Sequence, residues 1–139
     1  MLYRNWYSQD CTIVECFKSN YSLAEQCWNC VQEENIDGIG DCLSKYWSIK
    51  KALAPGCEPQ LVKNILEVLK PYIVGGSLAG AGGGGFLAAI LKDGVNRKEA
   101  IEVARRLPGT ERMTFHEASV DVKGLNVQVN GKDINVPFL

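Results

Sequence analysis

The sequence holds one histidine, His116, and no surplus of charge of either sign. Its 15 lysines and arginines stand against 16 aspartates and glutamates in 139 residues, a formal net charge of −1. That balance offers no basic stripe, which argues against nucleic acid or an anionic membrane as the main partner. The first residues, Met1-Leu2-Tyr3-Arg4-Asn5-Trp6, lack the charged and apolar regions of a signal peptide. The expectation is a cytoplasmic chain with reduced thiols. An uncharged stretch from Ile73 to Leu91 approaches the ~20 residues of a membrane helix. It is filled with glycine, however, and each interior glycine costs a helix roughly 1 kcal/mol relative to alanine.

Paired metal ligands are also missing. There are six cysteines and one Cys-x-x-Cys, Cys27-Trp28-Asn29-Cys30, but no second pair and no histidines at ligand spacing. A zinc ribbon requires one or the other, so no metal site is expected. Cys11, Cys16, Cys42 and Cys57 are isolated, and Cys27 and Cys30 share a helical pattern with Leu23 and Val31. All read as small core residues. The sequon Asn20-Tyr21-Ser22 is idle in a cytoplasmic chain.

What the chain has in quantity is glycine, and half of its 14 glycines fall between Gly75 and Gly85. Glycine loses the most backbone entropy on folding, so such a cluster implies positive φ angles or close approach by a ligand. Successive unhindered amides can form an anion-binding nest, the usual cradle of phosphate. A P-loop is excluded, because Phe86 rather than Lys follows the last glycine. Gly80-x-Gly82-x-x-Gly85 matches the dinucleotide spacing, but Arg105 and Arg106 stand near where an acidic residue should answer it. Phe86 to Leu91 is apolar and stops at Lys92-Asp93-Gly94, so strand, glycine loop, strand is the reading. A flexible linker would be more polar at its borders.

The remaining pattern is helical first and alternating last. A helix is expected over about 10–33, and a second, capped by Asn35, to about Leu53. A third opens at Glu58-Pro59 with Leu61, Val62, Ile65, Leu66, Leu69 and Tyr72 on one face. Asn96 and Glu99 suggest a capping box for a fourth, which ends at Pro108-Gly109. Met113 with Phe115, Val120 with Val122, and Leu125, Val127 and Val129 then alternate as strands, up to the hairpin turn Asn130-Gly131 and a return strand with Ile134 and Val136. The fold class expected is α+β, with helices packed on one face of a mainly antiparallel sheet, in a single domain over 1–139.

Several segments carry a resemblance. Gly80-Ala81-Gly82-Gly83-Gly84-Gly85-Phe86 resembles the third, glycine-rich motif of the GHMP kinases, a superfamily of small-molecule kinases. Arg4-Asn5-Trp6-Tyr7, Tyr46-Trp47-Ser48-Ile49-Lys50-Lys51 and Ala54-Pro55-Gly56-Cys57-Glu58-Pro59 sharpen the match toward its L-fucose kinases. The resemblance implies a ferredoxin-like C-terminal lobe whose glycine loop lies against the phosphate chain and the substrate. It also implies ATP and Mg²⁺ in the complete kinase, with none held by this lobe alone, and a sugar as substrate. The partner implied is an N-terminal lobe, in cis or in trans, since no Pro-x-x-x-Gly-Leu-x-Ser-Ser string occurs here.

The candidate contacts are therefore Gly80, Ala81, Gly82, Gly83, Gly84 and Gly85, with Lys50, Lys51 and Ser77 as accessory positions. No residue is assigned a catalytic role. Lys50 and Lys51 read as a solvated face more readily than as a phosphate clamp, because one helix hardly turns both inward. Glu58 reads as a helix N-terminal charge and Asp93 as a turn residue beside Gly94. Tyr46 and Trp47 read as core, and His116 as solvent-facing. Other readings are a non-catalytic remnant that binds a ligand or partner, a heptose-phosphate kinase lobe and, last, a Rossmann-type oxidoreductase. If a lobe is missing, exposed apolar surface is expected on the first helix.

Overall fold

The computed structural model describes residues 7, 9–120 and 127–134. Helix α1 spans Cys11–Gln32, and Asp10 caps it by accepting the Ile13 amide at 3.2 Å. Helix α2 spans Ile36–Leu53, where the Asn35 side chain accepts from the Gly38 amide at 2.9 Å. The short connection folds the two helices back on each other as an antiparallel hairpin. Helix α3, Gln60–Leu69, follows Pro59 at its N-cap and buries Val62, Ile65 and Leu69. The Asn35 cap and the break after Leu53 are those read from the sequence, whereas Pro59 caps α3 instead of lying in its first turn, and Tyr72 falls beyond the helix end at Leu69.

Strand β1 (Ile73–Leu78) pairs antiparallel with β2 (Leu87–Leu91). Leu78 faces Leu87 across the ladder, and the register shifts between Ile73 and Gly75. β1 is buried along almost its whole length, and its glycines show why. A Cβ on Gly75 would land inside the Gly40 carbonyl of α2, and one on Gly76 would stand 2.8 Å from Leu66 Cδ2 of α3. Helix α4, Arg97–Arg105, is capped by Asn96 and lays Ala100 and Ala104 against Ile65, Leu69 and Ile73. A second cluster joins Trp47, Cys57, Val62 and Leu78 directly beneath the glycine loop. Burying a side chain such as Leu78 stabilises by about 1.5–3 kcal/mol. The observed α+β arrangement is the class expected.

Two local expectations fail. Glu99 does not close a capping box: its carboxylate accepts from the Tyr72 hydroxyl at 3.3 Å. Residues 113–120 form no strand, although Met113 and Phe115 do pack on the core and Arg105 stacks over the Phe115 ring at 5.2 Å. The alternation there records one buried side, not a paired edge. The final hairpin is present as β3 (Val127–Val129) and β4 (Lys132–Ile134). Asn130 and Gly131 have φ of +51° and +74°, both positive as a type I′ turn requires. Val122, Leu125 and Val136 lie outside the described residues.

Only Ile13 and Leu23 of α1 are fully buried. Tyr21, Trp28 and Val31 are 69%, 61% and 47% exposed, so Val31 departs from the core pattern read for it with Leu23. No described helix is long and apolar enough to cross a membrane.

Candidate functional site: the glycine loop

The loop between β1 and β2 is closed at its stem by the Ala79 amide, which donates to the Phe86 carbonyl at 2.8 Å. Gly80, Gly82, Gly83, Gly84 and Gly85 all have positive φ, so the path of the chain itself demands glycine. Around Gly80, Gly83, Gly84 and Gly85, nothing lies within 4 Å of where a Cβ would stand. The outer side of the loop is open. At Gly82 the opposite holds, because a Cβ would meet Cys57 Cβ at 2.8 Å and Cys57 O at 2.9 Å.

The segment 54–59 holds the loop from behind. The Gly83 amide donates to the Cys57 carbonyl at 2.8 Å, so it is committed within the chain. The amides of Gly80, Ala81, Gly82, Gly84 and Gly85 meet no acceptor among the described residues and are the ones open to an anion.

Lys50 and Lys51 do not form a solvated face. Lys50 Nζ donates to the Gly80 carbonyl and, at 3.5 Å, to that of Leu78, and it lies 5.5 Å from the centre of the Trp47 ring and 5.8 Å from that of Tyr46. Lys51 pairs with Glu58 at 3.3 Å. Trp47 is core, as expected, whereas Tyr46 is exposed, and the Trp47 Nε1 also donates to Glu58 Oε1 at 2.6 Å. Glu58 is thus an internal acceptor rather than a free helix charge. Ser77 is buried, with its hydroxyl directed to the Leu78 carbonyl at 3.2 Å, so it does not face the open side. Asp93 accepts the Gly94 amide at 2.9 Å in the expected turn.

Sequence reasoning missed the roles of Cys57 and Glu58, although the segment from Pro55 to Pro59 stands out by its letters. It also missed Phe86, 74% exposed at the end of the loop, whose ring meets exposed His116 edge-on at 6.4 Å. An open cleft of about 650 Å³ between α1 and α2 is lined by Ser19, Ser22, Gln26, Ser44 and Lys45 among others, and contains no loop residue.

Among the described residues no group of three or more His, Cys, Asp or Glu could hold a metal. Burial, followed by their proximity to other thiols, holds Cys30 and Cys42 above the ordinary thiol range. Of the six cysteines read as core, Cys42 and Cys57 are buried, Cys16, Cys27 and Cys30 half-buried, and Cys11 is exposed.

Comparison with known families decides the assignment. The family model for the C-terminal domain of GHMP kinases matches residues 23–108, which include α2, α3, the glycine loop and α4. The chain belongs to the GHMP kinase C-terminal family. It is 31% identical over 94 residues to the bifunctional fucokinase/GDP-fucose pyrophosphorylase of Arabidopsis thaliana, covering 68% of this chain and 9% of that protein. It is also 31% identical over 97 residues to the L-fucokinase/L-fucose-1-P guanylyltransferase of Bacteroides fragilis, covering 70% and 10%. The chain therefore spans about a tenth of the length of these curated relatives. No solved structure matches it. Within this GHMP domain, the 80–85 loop and the 54–59 segment behind it fall wholly inside the matched residues.

Proposed function

We propose that this GHMP domain, a single unit over 1–139, serves a cytoplasmic, ATP-dependent sugar kinase of the fucokinase kind. That kinase phosphorylates L-fucose at its anomeric hydroxyl when the domain is combined with an N-terminal lobe. The observation that carries the reading is the open, glycine-built face of the 80–85 loop, where the amides of Gly80, Ala81, Gly82, Gly84 and Gly85 meet no acceptor among the described residues. Phosphoryl transfer depends mostly on positioning and on stabilising charge, and backbone amides supply both without a side chain. The names of the two fucokinase relatives support the choice of sugar.

ATP fits this site in part. The loop can take phosphate oxygens, but the carboxylates of Glu58 and Asp93 are engaged within the chain. Ligands for Mg²⁺ and the group that orients the sugar hydroxyl then come from the other lobe.

The test is phosphorylation of L-fucose by the full polypeptide carrying this chain, with ATP and Mg²⁺, read by phosphorus NMR for an anomeric phosphate. Gly84→Val should abolish turnover while the protein stays folded. Turnover of a heptose phosphate instead would keep the kinase and change the sugar. No turnover of either would favour a second reading, a lobe that binds a partner without transferring phosphate. The exposed Tyr21, Trp28 and Val31 of α1 support that alternative.

A further inference from the structure

We propose that Lys50 and Glu58 are positioning residues that set the shape of the glycine loop from behind, and that Lys50 is not a phosphate ligand. The inference rests on the loop being the ligand-binding element, but its geometry stands independently of the substrate. A loop that offers amides to an anion must turn carbonyls away from it, and a carbonyl turned inward requires a donor. Lys50 supplies that donor to Gly80 and to Leu78, from a position against the faces of Trp47 and Tyr46. A lysine that gripped phosphate would instead send its ammonium past the loop to the open side.

Glu58 acts one step further back. Its Oε1 takes the indole N–H of buried Trp47 at 2.6 Å and so ties the 54–59 turn to α2. That turn carries the Cys57 carbonyl that holds the Gly83 amide, and the Cys57 backbone against which Gly82 is packed. The ion pair of Glu58 with Lys51 is partly solvated on the lysine side, so it contributes less than the bond to Trp47. The whole bracket links α2, the turn before α3 and the loop through contacts that involve no ligand.

Amide hydrogen exchange on the full polypeptide, without nucleotide, tests this by following the peptide spanning 79–86. The reporters are Gly83, bonded to Cys57, and Ala79, bonded to Phe86. Lys50→Met and Glu58→Ala should each speed their exchange at least tenfold, whereas Glu58→Gln, which keeps an acceptor for Trp47, should restore protection. In the kinase assay, Lys50→Met and Glu58→Ala should lower kcat, and Glu58→Gln should recover it. Unchanged exchange in Lys50→Met, together with a raised KM for ATP and an unchanged kcat, would make Lys50 a phosphate ligand and overturn the proposal. Exchange that rises equally in Glu58→Gln and Glu58→Ala would remove Glu58 from it. If Glu58→Ala does not fold, Lys50→Met and Glu58→Gln still decide the outcome. Because exchange is read without substrate, a failed fucose assay leaves this result standing and points to the function instead.

Discussion

Gly75 and Gly76 are buried in β1, against α2 and α3, while Gly83 and Gly84, a few residues along the same run, stand in open space. In the strand, glycine is required because neighbouring backbone or side-chain atoms occupy the place of a Cβ. In the loop, at Gly83 and Gly84, it is required because the chain takes positive φ, and no atom lies within 4 Å of where a Cβ would stand. Gly82 shares both constraints, being packed on Cys57 at a φ of +94°. A run of similar letters therefore divides into a packed half and an open half. Only the second has a reason to affect chemistry before it affects folding.

The sharpest way to break that division is at Gly75. Its Cβ would overlap backbone, the Gly40 carbonyl, which no side-chain rotation can relieve. Gly75→Ala should destabilise at least as much as the roughly 1–3 kcal/mol usual for an overpacked core, and most of the protein should be lost as insoluble material. Chemical denaturation of any soluble fraction measures it, and a loss under about 1 kcal/mol, below that overpacking range, would mean that α2 and β1 can part. Gly82→Ala comes next. The clash with Cys57 adds to about 1–2 kcal/mol for a side chain at positive φ, and the Gly83–Cys57 bond should be lost with it. Thermal unfolding together with exchange at Gly83 should show both losses.

Much of this was legible in the sequence because local chemistry fixes it. Asn35 and Asn96 each cap the helix they precede, and Asn130-Gly131 turns the last hairpin. The strand–loop–strand order followed from the apolar run Phe86 to Leu91 and its stop at Lys92-Asp93-Gly94. What the sequence hid depends on contacts across many residues. Nothing local says that Lys50 reaches Gly80, or that the Gly83 amide is spent on Cys57. Glu58 was misread for the same reason, since its partner Trp47 lies on another helix. Residues 113–120 misled differently, because alternation reports which side is buried and not whether a strand edge is available to pair.

The smallest expected effect sharpens the comparison most. Gly84 and Gly94 both have positive φ, and neither has an atom within 4 Å of where a Cβ would stand, so alanine at either meets strain without a clash. Each substitution should cost about 1 kcal/mol, a difference of a few degrees in melting temperature for a domain of this size. Only Gly84 lies on the loop that we assign to phosphate. Gly84→Ala should therefore weaken ATP binding or turnover in the full polypeptide by tenfold or more, while Gly94→Ala leaves both as they were. Equal stability with unequal activity would locate the ligand on the open side of the loop. Equal loss of activity would mean that strain at either end of β2 disturbs the site, and equal retention would take the phosphate away from Gly84.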